Sequence, residues 1–153
     1  MRLVISRNPR LGARASCARL SPLFRTLAAG MPPRGALVEV NWIGERMMAR
    51  LSRSYKKRGH AAEILTFPCA GGPDPGRELP LGEIYLCRSA VSRGARRRRV
   101  SIRSYGARLL VHGLLHLRGF RHGDARSAAR METAEARFLR IYLPEREVER
   151  LFA

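Results

Sequence analysis

Between Ser101 and Leu117 the chain is apolar on most sides, carrying Ile102, Tyr105, Leu109, Leu110, Val111, Leu114, Leu115 and Leu117. A helix with so little polar face belongs at the centre of a domain, where other elements cover it. Yet the same segment holds His112 and His116, four residues apart and therefore on one helix face, one turn from each other. An unpaired imidazole is costly to bury, so something must satisfy both rings.

His122 follows after Gly119, a residue that tolerates positive φ and lets the chain fold back toward the helix. Three of the 4 histidines thus fall in one H-x3-H-x5-H array. Three protein ligands leave one vertex of a tetrahedral ion open, the arrangement of a catalytic centre and not of a closed structural one. All-imidazole ligation suits zinc and also admits nickel or copper. The bland alternative is a core helix whose histidines bond backbone carbonyls, with His122 an unrelated surface residue. The spacing is also that of metzincin peptidases, but those place Glu directly after the first His as general base, and here that residue is Gly113. Gly113 is expected to let a bulky substrate approach the helix.

Charge narrows the substrate. Lys and Arg number 30 against 12 Asp and Glu, a net charge of +18 over 153 residues. Such a surface suits a polyanion, whether RNA, DNA or an anionic membrane face, because phosphates neutralise it and release counterions. An anionic substrate therefore fits better than a peptide. The run Arg96-Arg97-Arg98-Arg99 is either a solvated helix end or a set of phosphate contacts. No stretch approaches the roughly 20 apolar residues that cross a bilayer, so no membrane partner is expected. Cys17, Cys69 and Cys87 are far apart and odd in number, which points to a reducing compartment.

Four short strands are expected around Leu3 to Ile5, Ala36 to Val40, Ile64 to Phe67 (closed by Pro68) and Gly82 to Cys87. Helices are expected over Leu11 to Ala29, Gly44 to Lys57, Ser101 to Leu117 and Ala125 to Ile141, with a further basic segment from Arg88 to Arg99. The last long helix carries Met131, Ala134, Phe138 and Ile141. The sum is a single α/β (α+β) domain over residues 1–153: a small mixed four-stranded sheet, about five helices, and a metal site on the central one. The N-terminal stretch has no acidic residue before Glu39 and many arginines, which also fits a mitochondrial targeting leader. An integral strand and helix, in a cytoplasmic protein, is the preferred reading.

His112-Gly113-Leu114-Leu115-His116-Leu117-Arg118-Gly119-Phe120-Arg121-His122 resembles the H-G-x-L-H-L-x-G-[YF]-x-H hallmark of the YbeY family of rRNA-maturation endoribonucleases. Two further blocks are similar to that family in order and spacing: Leu51 to Pro68, and Leu81-Gly82-Glu83-Ile84-Tyr85-Leu86-Cys87. Departures are Arg121 where Asp is usual, Ser52 for Asn, Gly59 for Asp, and Lys56 where the family has arginine. The resemblance implies one zinc ion on His112, His116 and His122 in a cleft, with ribosomal RNA as substrate and the ribosome as partner. It also implies phosphate-charge stabilisation by Lys56, shared with Arg58, although Lys lacks the bidentate fork of Arg. A metal-dependent peptidase and a non-catalytic, ribosome-associated basic factor are the alternatives.

Overall fold

The computed structural model describes residues 2–5, 22–31, 36–56, 62–69 and 81–153. Strands β1 (Arg2–Ile5), β2 (Leu37–Ile43), β3 (Ile64–Pro68) and β4 (Gly82–Cys87) form one sheet in the order β1-β2-β4-β3. β1 joins the edge parallel to β2, β2 runs parallel to β4 with Val40 opposite Ile84, and β3 closes the other edge antiparallel to β4. The sheet is therefore mixed.

Side-chain alternation along these strands feeds two separate cores, because successive residues point to opposite sheet faces. Val38, Val40, Ile84 and Leu86 enter the larger core with α1 (Pro22–Ala29), α4 (Ile102–Leu117) and α5 (Ala125–Leu139). Leu65, Tyr85 and Cys87 enter a smaller one with Met48 of α2 (Glu45–Lys56). Helices on both faces explain why β4 reads as a continuous apolar run and not as an alternating one.

Six helices are present among the described residues, one more than about five. The extra element is α6 (Glu145–Phe152). Pro144 does not end structure there: it stands at the N-cap, where its missing N–H costs no helical bond. Pro22 likewise opens α1, while the expected helical residues from Leu11 to Ser21 lie outside the described ones.

α4 is the central helix, in contact with α1, α3 (Arg88–Arg97), α5, α6, β3 and β4. Ser101 caps its start by accepting the Ser104 N–H at 3.0 Å. Leu110 and Leu114 are fully buried, each stabilising the fold by about 1.5–3 kcal/mol. Where α4 meets the sheet, Gly113 packs closely against β3 and β4. A Cβ there would lie 2.9 Å from Ile84 Cδ1 and 3.1 Å from both Ile64 Cδ1 and Thr66 Oγ1. The close approach expected at Gly113 is thus made by the sheet and not by a substrate. Gly113→Val should lower stability by about 1–3 kcal/mol through overpacking, seen as a lower denaturant midpoint. A variant as stable as the parent would show that this contact is slack.

Candidate metal centre

His112 and His116 lie on successive turns of α4, and their rings meet nearly edge to face at a centroid distance of 4.6 Å. His122 reaches the same point by a tight reversal. The Gly119 N–H donates to the His116 carbonyl at 3.0 Å and the Phe120 N–H to the Leu115 carbonyl at 3.1 Å, the bond pair of a Schellman ending. Gly119 takes φ +92°, a conformation open to residues without Cβ. After it the chain returns, and the His122 ring stands 5.4 Å from that of His112 and 4.8 Å from that of His116. One nitrogen from each of the three rings falls within 4.8 Å of the others. The bland alternative, with His122 apart from the other two, is excluded by this convergence.

What each ring does with its second nitrogen decides the chemistry. His112 Nδ1 is 2.7 Å from Glu135 Oε1, and His116 Nδ1 is 3.0 Å from the Phe120 carbonyl oxygen. Both partners are acceptors, so both Nδ1 atoms must donate, and in the neutral rings each Nε2 carries the lone pair. Those two Nε2 atoms face each other at 3.1 Å. Two bare lone pairs so placed repel, and either a shared proton or a metal ion between them removes the repulsion. Bonds of ~2.0–2.1 Å at a tetrahedral centre put ligand nitrogens roughly 3.3 Å apart, close to the observed spacing. The donor set fits a metal such as zinc, and His112, His116 and His122 could hold it.

Behind His112 stands a second layer of residues that the sequence analysis missed. Glu135 of α5 is 3% exposed and also accepts from Arg108 Nε at 3.3 Å. Arg108 reaches the Leu151 carbonyl of α6, and its guanidinium lies 4.1 Å from the centre of the Phe152 ring. The buried face of α5 therefore includes a carboxylate. Met131, Glu135 and Leu139 are buried, Ala134 and Phe138 only partly, and Ile141 is 67% exposed. A carboxylate four residues from both Met131 and Leu139, in the middle of an apolar stripe, was the available signal.

The three histidines open into a cavity of about 280 Å³, lined also by Ile64, Thr66 and Pro68 of β3 and by Arg121. Arg121 Nη1 donates to the carbonyls of His116 and Phe120 at 3.0 and 2.9 Å, so its cationic head covers the end of α4 beside the imidazoles. Of the expected phosphate-binding cations, Lys56 is the last residue of α2, but its side chain lies outside the description, as does Arg58. The run from Arg96 to Arg99 does not line this cavity. Arg97 pairs with Glu63 at 2.9 Å, and the Arg98 guanidinium lies 5.0 Å from the centre of the Tyr105 ring. Those two side chains hold α3 to its neighbours and do not form a free phosphate row.

Burial, reinforced by the neighbouring His112 and His122, lowers the pKa of His116 from 6.5 to about 4. Its ring stays neutral at physiological pH and keeps its lone pair. The unfolded chain protonates this imidazole at a higher pH than the folded chain does. Stability of the metal-free chain should therefore be full above about pH 6.5 and decline as pH falls toward 4, the unfolded state binding the extra proton. Melting temperatures in chelator across this range test it, with His116→Gln expected to flatten the decline. An equal acid slope in both proteins would assign the loss to other groups.

Comparison with known proteins accords with this geometry. The sequence profile of the family described as Endoribonuclease YbeY matches residues 22–142. An Endoribonuclease YbeY of Halorhodospira halophila is 36% identical over 124 residues, covering 80% of this chain and 77% of that one. One of Alkalilimnicola ehrlichii is 35% identical over 114 residues, covering 74% and 69%. The solution structure of TM1509 from Thermotoga maritima shares the fold at TM-score 0.51 and 19% identity, over 98% of this chain and 89% of that one. With a profile match spanning most of the chain and relatives above one-third identity, the chain belongs to the YbeY family of endoribonucleases.

Proposed function

We propose that this protein is a zinc-dependent endoribonuclease that hydrolyses RNA phosphodiesters in the maturation and quality control of ribosomal RNA, working with the ribosome in the cytoplasm. The observation that carries the reading is the pair of Nε2 atoms turned toward each other at 3.1 Å, each ring held in that tautomer by an acceptor on Nδ1. His112, His116 and His122 would hold the ion, which when bound supplies a Lewis acid for polarising a phosphate oxygen or a water.

The chain's own residues do the rest. Glu135 and the Phe120 carbonyl orient the two helical imidazoles and raise their basicity as ligands. Arg121 offers positive charge at the wall of the cleft, where a phosphate gains electrostatic stabilisation as charge builds on its oxygens. Lys56, closing α2, and Arg58 just after it are proposed to add to that stabilisation. β3, an edge strand, forms the opposite wall with Ile64, Thr66 and Pro68, giving the substrate a partly apolar surface to lie against.

A peptidase is disfavoured at the position after the first histidine. Gly113 is packed on the sheet, so a carboxylate general base could be placed there only by pushing β3 and β4 away. Unpaired thiols at Cys69 and Cys87 support a reducing compartment.

Incubation of the pure protein with ribosomal RNA and, separately, with casein tests the assignment. RNA cleavage should stop with chelator, return with zinc, and be absent in His116→Ala, with casein left intact. Cleavage that survives both chelation and His116→Ala would sink the metal mechanism. If His116→Ala lost zinc and stability while rRNA maturation in cells continued normally, the non-catalytic alternative would replace this reading. Glu135→Gln should weaken zinc binding by about 10–100-fold through loss of the ring's charged partner, measurable by competition with a coloured chelator. Wild-type affinity in that variant would remove Glu135 from the site.

A further inference from the structure

Arg121 faces two cavities. It lines the histidine cleft and also a neighbouring hollow of about 300 Å³ with Arg118, Phe120, Ser127 and Arg130. Arg118, Phe120 and Arg130 in turn border a third, more apolar hollow of about 340 Å³, walled further along by Arg137, Phe138 and Ile141. Because each cavity shares lining residues with the next, the three adjoin in a row as a segmented groove. It leads from the imidazoles across the end of α4 and along α5.

The groove has a repeating chemistry. Arg130 and Arg137 lie seven residues apart on α5, two turns along one face, with Phe138 and Ile141 beside them. From α4, the Arg118 guanidinium lies 5.9 Å from the centre of the Phe120 ring. Every ionisable side chain lining the second and third hollows is an arginine. Arg93, Arg97, Arg108 and Arg140 have carboxylate partners, whereas among the described residues Arg118, Arg130 and Arg137 have none. Cations left unneutralised around an apolar floor repel one another. A ligand that alternates negative groups with flat apolar ones relieves both problems, and a single strand of nucleic acid does so at every nucleotide. An acidic amphipathic peptide would satisfy the charge as well. It would not account for the arginine-lined hollows adjoining the cleft at Arg121.

We propose that this groove seats the single-stranded RNA flanking the phosphodiester in the histidine cleft, with phosphates on Arg118, Arg130 and Arg137 and bases against Phe120, Phe138 and Ile141. The proposal rests on the endoribonuclease reading and deepens it. Such contacts are to backbone and ring faces, so they select an unpaired strand without selecting a base sequence.

Fluorescence anisotropy on the full chain, zinc-loaded, tests it with labelled oligoribonucleotides: a single-stranded dodecamer, the same dodecamer in a duplex, and an acidic leucine-glutamate peptide as rival ligand. Arg130→Gln with Arg137→Gln, both exposed and on the outer groove, is compared with wild type at matched melting temperature. Wild type should prefer the single strand. The double variant should bind it about tenfold more weakly near physiological salt and lose roughly 1.4 from the log–log salt slope, since each phosphate contact contributes about 0.7. Unchanged affinity and slope in the variant, with tight wild-type binding, would overturn the groove and leave the endoribonuclease reading standing. Equal losses on duplex and single strand would overturn the stacking role. Peptide binding that the variant loses while RNA binding persists would give the groove to a protein partner. A wild type that neither binds nor cuts RNA would remove both readings together.

Discussion

A buried carboxylate that accepts from His112 on one side and Arg108 on the other is the interaction on which the rest of the site depends. Glu135 is nearly sealed from water, and a charge in that position is tolerable only if its partners replace hydration. Each partner comes from α4, so satisfying the carboxylate also docks α5 against the central helix. Arg108 then extends the network to α6 through the Leu151 carbonyl and the Phe152 ring. The consequence for chemistry is the tautomer of His112. With Nδ1 committed to Glu135, Nε2 has nowhere to turn except toward His116 and His122, and three helices at the C-terminal end of the chain cooperate to aim one nitrogen atom.

A similar economy governs the arginines. The net charge of +18 does not describe one uniform surface. Some guanidinium groups are consumed internally: Arg97 by Glu63, Arg108 by Glu135, and Arg98 against the Tyr105 ring, whose hydroxyl donates to Glu63 at 2.6 Å. The contacts of Arg97, Arg98 and Tyr105 hold α3 and α4 together and tie them to the segment before β3, while Arg108 docks α5 on α4. Arg118, Arg121 and Arg130 instead gather around the reversal after α4, close to the imidazoles, where positive charge can meet a phosphate. Composition announces a polyanion. Position decides which cations are available to it.

Much of the fold was readable because its strongest signals are local. Histidines four apart on an apolar helix, Ser101 before that helix and Gly119 after it, and the short apolar strands separated by glycine and proline each follow from spacing or backbone preference over a few residues. The misreadings share the opposite character. Gly113 was assigned to substrate access, but the neighbour that needs the space is the sheet, through Ile64, Thr66 and Ile84. The burial of Glu135 on α5 was not foreseen, because a glutamate is normally counted as polar surface. Only Arg108 and His112, remote in sequence, make its burial tolerable. α6, which Pro144 begins, was not foreseen at all.

The amino-acid sequence by itself determined the histidine cluster, since His112, His116 and His122 are brought near one another by helical periodicity and one glycine reversal, both short-range effects. It pointed as well to an anionic partner, through the net charge of +18. Only the tertiary structure decided which nitrogen of each helical ring faces inward and which arginines remain unpaired. It also decided that the cleft is adjoined by arginine-lined hollows along α5. Those outcomes depend on contacts between residues tens of positions apart, such as His112 with Glu135 and Arg97 with Glu63, and no local propensity encodes a pairing that exists only after the layers have packed.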